Sequence, residues 1–343
     1  MRNVLRLHLT LAVLLVAWPA CVRAESGTLT LNPTLSKGEA FTLQVVKSRQ
    51  QSGGTRGFSG RTTSLLDAEV LEAGAEGYVV SATLRKTRFE GAEAERAAAN
   101  PMVKATMDMW SSVPLHLKLS PQYAVTGLAN YEAVRKMFDA FVEKMLASVE
   151  IEAEKKEQVR SAMAQLVSSE GAAAQVVSRE VALYFSFTGD FEGGADAAPA
   201  DVLLPSPFGG DPIPAKCTTR VEPAGANSQG PVIVRETTMD SEALAAFMKR
   251  FIDDMGRKIG KEPQADAPLP KMTIKDTARV LVDPKTQWPQ EVQWQRASTT
   301  GPGKRFDGIF ITRLAAGSGF TDEAKAETKA TSTKNPDDEA AKP

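Results

Sequence analysis

The stretch "QSGGTRGFSGRT", residues 51–62, holds the residue types from which a phosphate cradle or a nucleophile elbow is built. A Walker-type loop needs glycine, four residues, Gly-Lys and then Ser or Thr, and it must open a helix whose N-terminal amides hold the anion. Counting back from Gly60, the first glycine slot holds Thr55 and the lysine slot holds Arg61. "TTSLLDAEVLEAG" follows, with β-branched residues and then a turn, where a helix is required. A nucleophile elbow needs G-x-S-x-G, and Arg61 stands where the second glycine after Ser59 belongs. The stretch therefore reads as a hairpin loop joining a strand at 41–50 to one at 62–71, its glycines giving backbone freedom.

Other chemistry is equally sparse. Beyond the N-terminal leader the one histidine is His116 and the one cysteine is Cys217. Zinc needs several Cys and His ligands and calcium an oxygen-rich loop, so the sequence points to no metal and no cofactor. Serine-type catalysis needs a histidine base oriented by an acid, which leaves a hydrolase using His116 as the alternative to a non-enzymatic protein. "DTA" at Asp276 differs from an aspartic protease signature at Ala278 and lies inside a strand pattern, while Asp253 and Asp254 are helix neighbours that point apart. No catalytic residue is assigned.

What would position a binding site is clearer. "FTLQVVKS" from Phe41 and "GYVVSATLRKTRF" from Gly77 alternate with period two, so residues 41–130 read as β-structure. From Asn130 the apolar period becomes three and four: Val134, Met137, Phe138, Phe141, Val142, Met145 and Leu146 make one stripe. Residues 130–185 read as a helical insertion, and "EGAAAQVVSREVALYF" as a helix turning into a strand. Dense Pro and Gly over 190–230 favour a looping path. Then come a strand, "PVIVRETTM", and a second amphipathic helix, "DSEALAAFMKRFIDDMGRKIG", capped by Asp240 or Ser241 and stopped at Gly260. Its inward residues include Phe247, Phe251 and Met255. Three strands close the pattern, and 316–343 reads as a disordered tail. Segregated runs of strands and helices give an α+β fold with an antiparallel sheet, in one domain over 25–315. The methionines and phenylalanines of both helices, Met137, Phe141, Met145, Phe247, Phe251 and Met255, are the candidate lining of an apolar pocket, because methionine adapts to apolar ligands; Trp110, Trp288 and Trp294 either line it or belong to the core.

The N-terminus, "MRNVLRLHLTLAVLLVAWPACVRAES", has a basic start, an apolar run from Leu9 to Trp18, and small residues at Val22 and Ala24. It reads as a signal peptide over 1–24, cleaved before Glu25, with the mature protein in the periplasm or secreted. The alternative is a lipoprotein anchored through Cys21, the one route by which the sequence points to a membrane. A mature chain with one cysteine closes no internal disulfide. The formal net charge of −1 and the lack of a basic patch exclude nucleic acid as a partner class.

The segments "PLHLKLSPQYAVTGLANYEAV", "LLPSPFGGDPIP" and "DPKTQWPQEVQWQ" resemble an uncharacterised bacterial family of exported domain-of-unknown-function proteins. Such proteins are distantly similar to the curved half-barrel of lipoprotein carriers of the LolA type. The resemblance implies a curved, half-barrel-like sheet with helices packed on or capping it, and a cell-envelope setting; it carries no catalytic residue across. The expected activity is non-catalytic binding of an apolar or lipid-like ligand. The alternative is a structural or interaction module with a filled core whose partner is an envelope protein.

Overall fold

The computed structural model describes residues 29–53, 58–91, 96, 98–191, 198–204, 212–222, 230–258 and 271–321. The expected signal peptide, the stop at Gly260 and the tail beyond 321 lie outside them. The strands are β1 (Leu29–Leu31), β2 (Ala40–Ser52), β3 (Phe58–Gly74), β4 (Gly77–Glu90), β5 (Leu115–Leu119), β6 (Val125–Leu128), β7 (Gly189–Phe191), β8 (Ala200–Leu204), β9 (Ile213–Glu222), β10 (Val232–Met239), β11 (Met272–Val282), β12 (Pro289–Thr300) and β13 (Gly303–Ala315). The helices are α1 (Pro101–Ser112), α2 (Tyr131–Ala147), α3 (Ala153–Leu166), α4 (Glu170–Val177), α5 (Arg179–Phe185) and α6 (Ser241–Lys258).

Eleven strands form one open antiparallel sheet, ordered β6-β5-β4-β3-β2-β13-β12-β11-β10-β9-β8, with β1 and β7 paired beside it. Two meanders meet at its centre. The chain runs outward from β2 to β6, crosses through α2–α5, and returns inward from β8 to β13, which pairs with β2 over Phe41 to Ser52. The architecture is α+β with a largely antiparallel sheet.

Strand alternation selects the faces. Val45, Ile311, Val292, Val280 and Ile233 are successive cross-strand partners, and each is at most 1% exposed. Val70, Val80, Leu117 and Leu128 form an equivalent row in the other meander. Onto this inner face pack Val134, Met137, Phe138 and Val142 of α2 and four residues of α5: Val181, Leu183, Tyr184 and Phe185. Where "EVALYF" reads as the start of a strand, α5 is helical, and after Arg179 and Glu180 it is apolar throughout, with Val181, Leu183, Tyr184 and Phe185 buried in the main core.

Three further departures from the sequence reading have local causes. Residues 101–112 are helical inside what reads as a β-region: the Asn100 side chain accepts a hydrogen bond from the Met102 amide at 2.9 Å, and Pro101 occupies the first turn. Residues 200–204 and 213–222 are paired strands within the Pro/Gly-rich region. Residues 316–321, read as the start of a disordered tail, lie across the outer face. Thr321 and Gln44 exchange hydrogen bonds, the Gly317 amide donates to Thr42 Oγ1, and Phe320 sits under Arg88 at 4.8 Å. Thr42, Gln44 and Leu65 are consequently fully buried on a face that elsewhere meets solvent. Cys217 is a disulfide cysteine, against the expectation of none; the other cysteine of the chain, Cys21, lies outside the described residues.

Candidate functional site

The inner face is not one continuous core. Its apolar residues divide into a large cluster under α2, α4 and α5, and a smaller one formed by Val202, Leu204, Ile213, Ala215, Cys217, Met239 and Ile274 of the sheet with Leu244 and Phe247 of α6. Between them runs a row of charge. Arg49, Asp307, Arg296 and Asp276 are consecutive cross-strand partners on β2, β13, β12 and β11, in the same alternation as the buried valines. Arg296 grips Asp276 through Nε and Nη2, both at 2.6 Å, and both residues are 4% exposed. Asp307 accepts from Arg49 and from Arg305, each at 2.7 Å. Burial works to raise the Asp307 carboxyl, but the hydrogen bonds from Arg305 and Arg49 outweigh it and hold it below its ordinary value.

Two helices border this row. On the α6 side, the Asp240 carboxylate caps the helix by accepting from the Glu242 and Ala243 amides, which settles the cap between the two expected residues. Ile274 and Met239, neighbours of the row on the same face, touch the cluster that contains Leu244 and Phe247. On the α5 side, the Arg179 guanidinium lies 4.8 Å from the Trp294 ring centroid, and Arg296 lies 5.2 Å from the same ring. Burial above all lowers Arg179 from its ordinary value; the Glu180 charge opposes the shift and the nearby Arg296 charge adds to it. Glu180 beside it pairs with Lys47; burial works to raise its carboxyl, and the lysine charge wins and lowers it. Arg235 on β10 is 5% exposed, lies 5.1 Å from the Phe187 ring centroid, and is depressed by burial.

The structure separates the six candidate pocket residues. Met137 is buried in the large cluster, and Phe141 and Met145 pack against it part-buried. Phe247 belongs to the smaller cluster. Phe251 and Met255 fall on α6, but their side chains lie outside the described residues. Trp288 and Trp294 are core residues of the large cluster, and Trp110 packs on its edge.

His116 lies on β5 directly opposite Ser81, and Ser81 lies opposite Glu69. Serine thus stands between acid and base, whereas a triad needs histidine in the middle. Among the described residues the imidazole makes no hydrogen bond to a serine or carboxylate, and alternation with the buried Leu115 and Leu117 places it on the outer face. No group of three or more metal-ligating side chains occurs among the described residues. The glycine-rich stretch joins β2 to β3 as a hairpin in which Ser59 pairs with Gln50; its tip, 54–57, lies outside the described residues. No described helix is long and apolar enough to cross a membrane.

An open cleft of about 300 Å³ lies at another margin of the sheet, lined among others by Asn32, Glu39, Lys285, Trp288 and Arg313. Its polar groups largely satisfy one another. Arg313 donates to Glu39 at 2.7 Å and to the Tyr184 hydroxyl at 3.0 Å while lying over Phe41, and Gln287 accepts from the Asn32 amide at 2.9 Å. Burial, first among the causes, pushes the Tyr184 hydroxyl up to about 12. These contacts tie the segment before β2 to the sheet.

Neither a family model nor a curated protein matches the chain. Among solved structures, a lipovitellin chain, described under lipid–protein interactions, aligns with 83% of this chain at 6% identity and a TM-score of 0.39. This chain spans 26% of it. DynF from the dynemicin biosynthesis pathway of Micromonospora chersina aligns with 86% of this chain and 88% of its own at 5% identity, with a TM-score of 0.20. Likeness at these scores carries no argument about function.

Proposed function

We propose that this protein is a non-catalytic binding protein of the cell envelope that takes an apolar, lipid-like ligand on the inner face of its sheet, beneath α6. The observation that supports this reading is the division of the inner face. A core that serves stability alone gains from being continuous, because burial is favourable in proportion to area. Here the surface under α6 is set apart from the main core by buried charges that cost free energy to desolvate. α6 then acts as a cover over a separate apolar patch, and Phe247 with the adaptable Met248 is its contact surface. The finer geometry we infer is a half-barrel, since twisted sheets of more than about ten strands curl. The setting we infer is the periplasm or the exterior, reached through cleavage before Glu25; the alternative is anchoring through Cys21, and with either one Cys217 finds a disulfide partner only outside the mature chain. An envelope protein docking on the same cover is the competing partner class.

The test is native mass spectrometry of the full chain, exported and purified without detergent, followed by solvent extraction. The expected result is additional mass that extracts as an apolar molecule and falls in Phe247→Ala. A clean apo mass, with no uptake of an added apolar probe, contradicts the reading. The same spectrum fixes the N-terminus, which cleavage before Glu25 places four residues beyond Cys21.

A further inference from the structure

The row that divides the inner face carries more positive than negative charge. Lys47, Arg49, Arg179, Arg296 and Arg305 are its described cations, and Asp276, Asp307 and Glu180 its described carboxylates. The carboxylates are committed. Asp276 holds Nε and Nη2 of Arg296, Asp307 is shared by Arg49 and Arg305, and Glu180 pairs with Lys47. Three groups around one indole remain. Nη1 of Arg296 and Nε1 of Trp294 are buried without a hydrogen-bond partner, and among the described residues Arg179, on the same ring, makes no ion pair. A buried donor without a partner is costly, and a buried cation more so. An oxyanion is the kind of partner these groups lack, because guanidinium and indole N–H groups are pure donors and a carboxylate or phosphate is a pure acceptor.

We propose that Arg179, Arg296 and Trp294 form a binding site for an anionic oxygen group, the carboxylate or phosphate head of an amphiphile. The inference rests on the reading above, in which the tail occupies the patch under α6; the head then lies at the adjacent charge row. Ile274, which touches that patch, is two residues from Asp276 on the same face of β11, so Arg296, held by Asp276, is the part of the head site that borders the patch.

The experiment titrates the full-length protein with oleate, oleyl alcohol and inorganic phosphate, reading binding by native mass spectrometry and calorimetry. Oleate is expected to bind about tenfold more tightly than oleyl alcohol, the value of one charge-assisted hydrogen bond set. Arg179→Gln, and separately the paired change Asp276→Asn with Arg296→Gln, are expected to cut that ratio below about threefold while leaving oleyl alcohol binding unchanged. Equal binding of the two amphiphiles overturns the headgroup site and leaves the apolar reading standing. A ratio that survives both variants also overturns it. Binding of phosphate with neither amphiphile keeps the anion site and overturns the apolar reading. No binding of any of the three overturns both.

Discussion

Two of the helices that cover the inner face, α5 and α6, are built differently. α5 has seven residues, of which Val181, Leu183, Tyr184 and Phe185 are buried in the main core. Tyr184 and Phe185 lie edge to face at 5.2 Å, and both meet Trp288. α6 has eighteen residues and the sharper division into polar and apolar sides, yet Ile252 on it is 50% exposed and its described buried contacts belong to the smaller cluster. The short helix is a plug and the long one a cover. Apolar content alone does not tell them apart; what does is whether the surface beneath is continuous with the core or fenced off by charge.

The comparison can be broken at several points. The largest effect is expected at the plug: Phe185→Ala should cost about 3–5 kcal/mol in urea unfolding, whereas Phe247→Ala should cost about half as much, because the cover can collapse onto the sheet. Equal losses would remove the distinction. Next, Asp276→Asn leaves the Arg296 charge buried without its counter-ion and should cost about 3 kcal/mol, most of it recovered when Arg296→Gln is added. A double variant as unstable as the single would mean the pair itself holds the two halves together. A third effect is acid sensitivity. Asp307 and Glu180 have carboxyls held below their ordinary values in the fold, so each adds stability that is complete above the unfolded value, about 4, and is lost as pH falls through the lower folded value. The acid limb of a stability–pH curve should therefore flatten in Asp307→Asn, and an unchanged limb would show that the row contributes nothing there. The smallest effect belongs to the strap over the outer face: Phe320→Ala loses a cation–π contact at a half-buried surface site and should cost about 1 kcal/mol, leaving ligand uptake untouched.

Much of this organisation is legible in the residues, and what is not has identifiable causes. Alternation marks β4 and the last three strands, and the stripe from Val134 to Leu146 marks α2, because each buries one face. α1 hides in a short segment, although Asn100-Pro101 is a helix-start signal. α5 has no periodicity to read, since Val181 to Phe185 are apolar without a break. The charge row leaves a faint trace: Asp276, Arg296 and Asp307 each stand two residues from buried apolar partners, in positions where alternation calls for an apolar side chain. A charge on the inward phase of a strand is the signal, and only the register of four strands shows that the charges meet. The split of the six methionine and phenylalanine candidates is likewise invisible in one dimension, since helix stripes say that a face is buried but not against what.

The account turns on α6 being a cover that opens independently of the core. Native-state hydrogen exchange on the full chain measures that directly. The amides of Leu244 to Phe251 should exchange through an opening several kcal/mol below the global unfolding free energy, while those of Val181 to Phe185 exchange only with global unfolding, and an added anionic amphiphile should slow the first set alone. Exchange of both helices at the global limit would contradict the account, and α6 would then be one more part of a single filled core.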